Sequence, residues 1–483
     1  MTDAVALRVD DALALGRLDA HDQAALLARG ELTARELTEA AIVRAQRLDP
    51  ALGALSHRAF ALARQCAHAL DALPQRPPLA GVPYLLKDSL DFPGMPSLAG
   101  SRSRTGVPAT QAYPFAQRFQ AQGLVPLGKS AMPEFGLLPS TEPLLGPVTR
   151  NPWSPAHSPG GSSGGAGAAL AAGIVPLAHG SDGAGSIRIP ASCCGVVGLK
   201  PGRGGVVRVR GRHVLEDLMV SDALMSRSVR DSAWAFAVAH PQSPPMVTGA
   251  ASRRLRIGVI DTGLRGQPAQ AEVAAALAQA AQLCEGLGHR LERLAYPFDG
   301  AAATRALVTL WSHMAADCVD AAVARLGEAV ALRALEPWTR ELAQWNLAHC
   351  GSAELEQAYA QLAALPGAMH ALHQRVDVLL TPVVRTPPPP LGELAPERVL
   401  EELMPAFFDW AAYTPLQNLA GTPAIALPLA QGDGGLPIGV QFVADRGAEA
   451  MLLALAYELE AAAPWQQRWP PHSVAAAAGT QVG

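Results

Sequence analysis

Apolar residues recur at helical spacing through residues 12–17, 22–29, 33–48 and 55–73, which predicts four helices in succession at the start of the chain. Thr33 and Glu36 stand at capping-box spacing, and Asp49-Pro50 predicts where the helix they open stops. After a turn at 75–78 the pattern changes. Residues 82–86 and 124–127 are short apolar runs of strand length; 166–173 is Ala-rich with helix-forming composition, and an apolar run at 174–178 follows it. Farther along, 202–211 reads as strand and turn, 222–240 as a strand and then a helix, and 255–260 as a strand. A helix over 267–287 is closed by Gly288, 303–372 is mainly helical, 376–381 is a strand running into a proline-rich bend, and 449–462 is a helix.

Composition changes this picture little. The length of 483 residues suggests roughly three domains by length alone, yet no strong linker, internal repeat or low-complexity stretch divides the chain, apart from an Ala-rich tail at 475–478. A hydrophobic share of 49% supplies a sizeable core, and a net charge of −4 points to neither a nucleic acid nor a membrane partner. Residues 1–15 carry three aspartates and no basic segment before an apolar one, so they do not read as a signal peptide, and no uncharged run is long enough to span a membrane. Six cysteines without metal-ligand spacing read as reduced thiols, which favours the cytoplasm, and neither a metal nor any other cofactor is expected.

Lysine usage is more telling. Of 38 basic residues only Lys87, Lys129 and Lys200 are lysines. Arginine stays protonated in proteins, whereas a desolvated lysine can act as a base, so a lysine kept in an arginine-rich chain is a candidate for that role.

Residues 158–202 are where such a base would serve. Two glycine-serine turns, 160–165 and 180–186, flank the helix and strand expected over 166–178. Glycine lets backbone amides come close to a bound molecule, and the serines add hydroxyls beside them. A nucleophile next to bare N–H groups is what acyl transfer needs. Two other motifs compete for attention. Residues 123–130, GLVPLGKS, match a phosphate-binding loop, but an apolar strand with a proline cannot form the nest of amides and Pro133 blocks the helix that should follow. The pattern G-x-S-x-G, met by 160–164 and 161–165, marks a strand-to-helix elbow elsewhere, but the preceding NPWSPAHSP cannot be a central strand, and no histidine has the context of a partner.

The stretch resembles the signature of the amidase signature family, GGSSGG…GSDxGGSIRxPxxxCGxxGLKP, over more than forty residues. Gly183-Ala184 departs from it, standing where Thr or Ile followed by Gly is usual. LAGVPYLLKDSLD at 79–91 is similar to the family's GVPxxxKD element, GKSAMPEFG to its GKTNxPEFG, and the C-terminal stretches around TPLQNLAGTPA and GLPIGVQ also match, so the resemblance covers most of 79–465.

The resemblance implies an α/β fold: one domain with a large, mixed, twisted sheet covered by helices on both faces. In it 1–75 would be N-terminal helices, 76–245 the catalytic core, 303–372 a helical cap and 376–470 the C-terminal part of the core. It implies hydrolysis of an amide, carbamate or ester, with Ser186 as nucleophile, Ser162 as proton relay after a cis Gly161–Ser162 bond, and Lys87 as base. Such a relay works only with Lys87 uncharged, which burial favours. The amides of Gly183, Ala184, Gly185 and Ser186 would face the oxyanion. Asp182 and Arg188 would orient the loop, with Ser163 in support, while Glu134 is expected to be structural. For the helical stretch two readings are open: Trp311 and Cys318 form a pocket wall, or they are core. The expected partner is a small amide or carbamate, bulky or non-peptide, as in the branch with nylon-oligomer and urethane hydrolases; the chain is expected to be a monomer or homodimer. A glutamyl-tRNA amidotransferase subunit is the alternative, and a nucleotide-binding protein a more remote one.

Overall fold

The computed structural model describes residues 8–207 and 214–477. Its strands, in chain order, are β1 (Leu55–Arg58), β2 (Pro83–Lys87), β3 (Val125–Ser130), β4 (Leu177–Asp182), β5 (Gly198–Lys200), β6 (Ser221–Ser226), β7 (Arg256–Val259), β8 (Arg290–Arg293), β9 (Val378–Pro382), β10 (Ala424–Gln431) and β11 (Pro437–Ala444). They form the expected mixed α/β architecture as two sheets, ordered β1-β3-β2-β4-β6 and β5-β10-β11-β9-β7-β8. In the first, β2 runs parallel to β3 and β4, while β1 and β6 close the edges antiparallel. A bridge between Val197 and Ser226 joins the two sheets.

Period-2 alternation explains how each sheet is covered on both faces. In the first sheet Leu85, Val125, Leu127, Ala178, Ala223 and Met225 enter a central cluster, while Tyr84, Leu86, Leu124, Leu177 and Leu224 enter another on the opposite side. In the second, Ala424, Ala426 and Val443 share that same central cluster, and Ile425, Leu427, Val440 and Phe442 pack against the helices Ala271–Gly286 and Glu449–Ala462. The helices Gly164–Ala172 and Arg188–Cys194 are buried along their whole length in the central layer. In the first of them small residues make this possible: every side chain of GGAGAALAA except Leu170 is a methyl group or a hydrogen, so neighbouring elements come close.

Several boundaries differ from the sequence pattern. The helix opened by the Thr33–Glu36 capping box runs Ala34–Leu52, past Asp49-Pro50, and ends at left-handed Gly53. Asp49 carries the chain through: its Oδ1 takes the amides of Ala54 and Leu55 at 2.8 and 3.0 Å, and Arg58 donates to Oδ2 at 2.8 Å. Residues 55–58 are strand, not helix, because the edge of β3 offers pairing there; the helix starts at Phe60 and ends at Asp71. The strand expected at 174–178 begins at Leu177 and continues through Asp182, into what reads as a glycine turn. The strand expected to end at Leu127 continues through Ser130, and a Cβ at Gly128 would lie 2.2 Å from the His57 carbonyl oxygen. That strand, with Lys129 buried and donating to the Leu90 carbonyl, is no phosphate-binding loop. Residues 208–211 of the expected strand and turn, and position 478 of the Ala-rich tail, lie outside the described residues.

Residues 303–372 are helical as expected, within helices Gly300–Leu326, Glu328–Ala334, Pro337–His349 and Ser352–Arg375. Trp311 and Trp338 both donate through Nε1 to the Leu137 carbonyl, at 3.1 and 3.2 Å, and so tie this helical layer to the loop beside the two glycine turns.

Candidate active site

β2 ends at Lys87, β4 carries Ser181, and the two glycine-serine loops, 160–163 and 183–187, each lead into a buried helix. These elements converge on one amine. Lys87 is fully buried, and its Nζ donates to Ser162 Oγ at 2.7 Å, to Ser163 and Ser181 Oγ at 2.9 Å each, and to the Ser181 carbonyl at 3.3 Å. All four acceptors are neutral oxygens. The Gly161–Ser162 peptide bond is cis. Ser163 locks the two loops together: its amide donates to the Ser186 carbonyl at 3.3 Å, and its hydroxyl meets both the Ser181 amide and the Ser181 carbonyl at 3.2 Å.

The second loop is shaped by Asp182. Its Oδ1 takes the Gly185 amide at 2.6 Å, and its Oδ2 takes those of Ile187 and Arg188 at 3.2 and 3.4 Å. Burial by itself would raise the Asp182 carboxyl, but the charge and hydrogen bonds of Arg188, then Lys200 and Asn418, outweigh it and hold the group well below the usual carboxylate range. Arg188 also donates to Gln417, Asn418 and Gln441, and Asn418 donates to the Asp182 carbonyl at 2.7 Å. The Thr414 hydroxyl donates to the Ala184 carbonyl at 2.7 Å. Gly185 has φ 131°, and a Cβ there would lie 2.3 Å from Thr414 Oγ1, so only glycine fits.

This corrects one expectation. The Gly185 N–H is engaged by Asp182 Oδ1 at 2.6 Å, so of the four amides expected to face an oxyanion this one is turned to a carboxylate instead. Glu134 is buried and accepts from the Ser101 hydroxyl at 2.6 Å and the Glu336 amide at 2.9 Å, a structural setting.

Ser162, Ser181, Gly183 and Ser186 line a cavity of about 400 Å³. Met132, Phe135, Leu137, Val220, Trp311 and Met314 form its apolar walls, with Arg104, Glu216, Asp317, Asp320 and Arg325 also on its lining. Trp311 and Cys318 therefore stand on the cavity, and a Cβ at Gly183 would come within 3.3 Å of the Trp311 ring. Burial, then the Glu216 charge, pushes the Cys318 thiol up to about 12, so it is a neutral wall group. Among the described residues no group of His, Cys, Asp and Glu has the arrangement of a metal site.

Sequence reasoning missed several contributors. Thr414, Asn418 and Gln441 stand in the C-terminal stretches that carry the resemblance, a signal without a role until the fold brought them to Asp182 and Arg188. His179 was passed over with the other histidines, yet it is buried beside Lys87 and Asp222.

The family model described as Amidase matches residues 36–453. A Mycobacterium leprae (strain TN) protein provisionally named amidase AmiC is 39% identical over 463 residues, covering 94% of this chain and 96% of that protein. The 6-aminohexanoate-cyclic-dimer hydrolase of Paenarthrobacter ureafaciens is 36% identical over 485 residues, covering 94% and 96%. A solved structure of 6-aminohexanoate cyclic dimer hydrolase complexed with substrate superposes with a TM-score of 0.85 at 34% identity, covering 95% of this chain and 99% of that one.

Proposed function

The chain belongs to the amidase signature family and hydrolyses amide bonds, and on that premise we propose that Ser186 is its nucleophile, Ser162 its proton relay and Lys87 its base. The observation that carries the reading is the 2.7 Å contact between Lys87 Nζ and Ser162 Oγ at the foot of a cavity that also exposes Ser186. A hydroxyl is a weak nucleophile until a base takes its proton, and here the base is reached through a second hydroxyl. Neutral Lys87 takes the Ser162 proton as Ser162 takes that of Ser186, and Ser186 Oγ bonds to the amide carbon. The carbonyl oxygen gains charge against the amides of Gly183, Ala184 and Ser186. The proton returns through Ser162 to the leaving nitrogen, the C–N bond breaks, and an acyl-Ser186 ester remains. Water then gives a proton to the relay, bonds to the acyl carbon and releases the acid and Ser186. The chemistry asks for no metal or other cofactor, because Lys87 supplies the base.

The substrate in this reading is a small, bulky or non-peptide amide or a carbamate, whose apolar part meets Phe135, Trp311 and Met314. The likeness to a cyclic-dimer hydrolase supports including cyclic amides. We place the enzyme in the cytoplasm as a monomer or homodimer; its six free cysteines suit a reducing compartment, and among the described residues no helix is long and apolar enough to cross a membrane. The test is a panel of aryl amides, carbamates and lactams with fluorophosphonate labelling of the purified chain. Turnover and labelling that are both lost in Ser186→Ala are expected. Turnover that persists in that variant would overturn the assignment, and hydrolysis seen only with added partner proteins would favour an amidotransferase subunit.

A further inference from the structure

On β4, alternation puts Leu177 and His179 on one face. β2 lies beside it in parallel, but the two strands pair only at Tyr84↔Leu177 and Leu85↔Ala178. Two residues beyond that pairing, the Lys87 N–H finds an imidazole instead of a β4 carbonyl and donates to His179 Nδ1 at 3.2 Å. A ring nitrogen that accepts carries no proton, so the other nitrogen, Nε2, bears it and donates to Asp222 Oδ1 at 2.7 Å. Asp222 reaches the ring because it pairs with Ser181 in the β4–β6 register, diagonally across from His179 on the same face. Both side chains are buried, and the Phe115 ring stands 5.3 Å away. Two residues farther along β4, Ser181 Oγ takes the Lys87 amine at 2.9 Å. One strand thus holds Lys87 by its two ends, the backbone through His179 and the amine through Ser181.

We propose that His179 is a positioning residue for Lys87. Its neutral imidazole, oriented by Asp222, replaces the ladder bond that β2 and β4 do not make and sets where the amine stands relative to Ser162. The proposal rests on the reading of Lys87 as base. His179 is not among the residues lining the cavity, so it reaches the substrate only through Lys87. A histidine serving only as packing would need neither an unprotonated Nδ1 turned to a backbone amide nor a carboxylate on its other side.

The experiment compares full-length His179→Leu, His179→Asn and Lys87→Ala on one aryl amide, measuring kcat, KM, the rate of fluorophosphonate labelling and Tm. Leucine fills the space without an acceptor and is expected to lower kcat roughly 10- to 100-fold, with KM changed less than about threefold and labelling slowed in step. Asparagine offers an oxygen near the position of Nδ1 and is expected to recover most of that loss. Wild-type kcat in His179→Leu, or equal impairment in both variants, would overturn the proposal. Activity surviving in Lys87→Ala would instead overturn the base assignment on which it rests. A further measurement needs no variant: histidine ¹⁵N shifts of the native enzyme should show His179 as the Nε2–H tautomer, and a protonated Nδ1 would refute the proposal.

Discussion

Asp182 and Arg188 meet fork to fork with neither side chain exposed, Oδ2 to Nε and Oδ1 to Nη2 both at 2.9 Å. The pair is flanked by amide side chains from Gln417, Asn418 and Gln441, so every charge buried there has a partner. Removing one member strands the other, which costs about 3–5 kcal/mol.

Asp182→Asn should therefore lower stability by an amount on that order, and the deficit should depend on pH. The carboxyl is depressed in the folded state, so its contribution is present above the unfolded value of about 3.9 and is lost as pH falls below it. Denaturant unfolding of both proteins should show a full gap near pH 6 that narrows toward pH 3. A gap independent of pH would disconnect the pair from stability.

Ser186→Ala, Ser162→Ala and Lys87→Ala should each lower kcat by several orders of magnitude, and a double variant should lose little more than the worse single one, because the three act as a unit. The pH profile of turnover should also change in Lys87→Ala, because the proposed base is lost. A single limb near the ordinary histidine value of about 6.5, unchanged in Lys87→Ala, would contradict this.

Gly185→Ala should be folded but nearly inactive. The added methyl meets Thr414 Oγ1, and φ 131° is closed to alanine, so the loop that carries Gly183, Ala184 and Ser186 must move. Combining it with Thr414→Ala relieves the contact but not the backbone, and fluorophosphonate labelling should stay slow. Full recovery in the double variant would show that crowding alone was responsible.

Glu336 offers a stability test away from the chemistry. Burial, then the neighbouring Glu134 charge, pushes its carboxyl up to about 8. A raised acid contributes fully below its unfolded value of about 4.3 and loses that contribution as pH rises through the folded value. Glu336→Gln keeps an acceptor for the Leu144 amide, which Glu336 Oε1 takes at 2.6 Å. Its Tm should match the parent near pH 4 and exceed it above pH 8, by a difference on the order of a few kcal/mol in stability. Equal Tm values at both ends of that range would show that Glu336 titrates normally.

The parts of this enzyme legible in the sequence are the contiguous ones. Residues 158–202 carry both serine loops in one run, and Lys87 is marked by its rarity and its local element. The long helices follow from their period. What escaped depends on distant partners. His179 and Asp222 become a pair only through the β4–β6 register, and Gly185 loses its amide to a carboxylate whose direction no motif states. β1 has four residues and a pattern that also fits the start of a helix; β3 decides between them. β8 is a charged edge strand, RLER, with no apolar alternation to betray it. Pro50 marks a helix end by local rule and is overruled because Asp49 caps the following turn.

Trp311, Met314 and Cys318 stand at spacings of three and four on the helix Gly300–Leu326, so a single helical stripe faces the cavity, while the proposed relay rests on strands and glycine loops of the sheet layer. The wall that this helix gives the cavity is thereby carried on a different piece of the chain from the proposed relay. Three codons at 311, 314 and 318 can be varied to reshape the cavity while the proposed proton relay keeps its own supports. For anyone wishing to redirect this enzyme toward a new amide, that stripe is the place to begin a library.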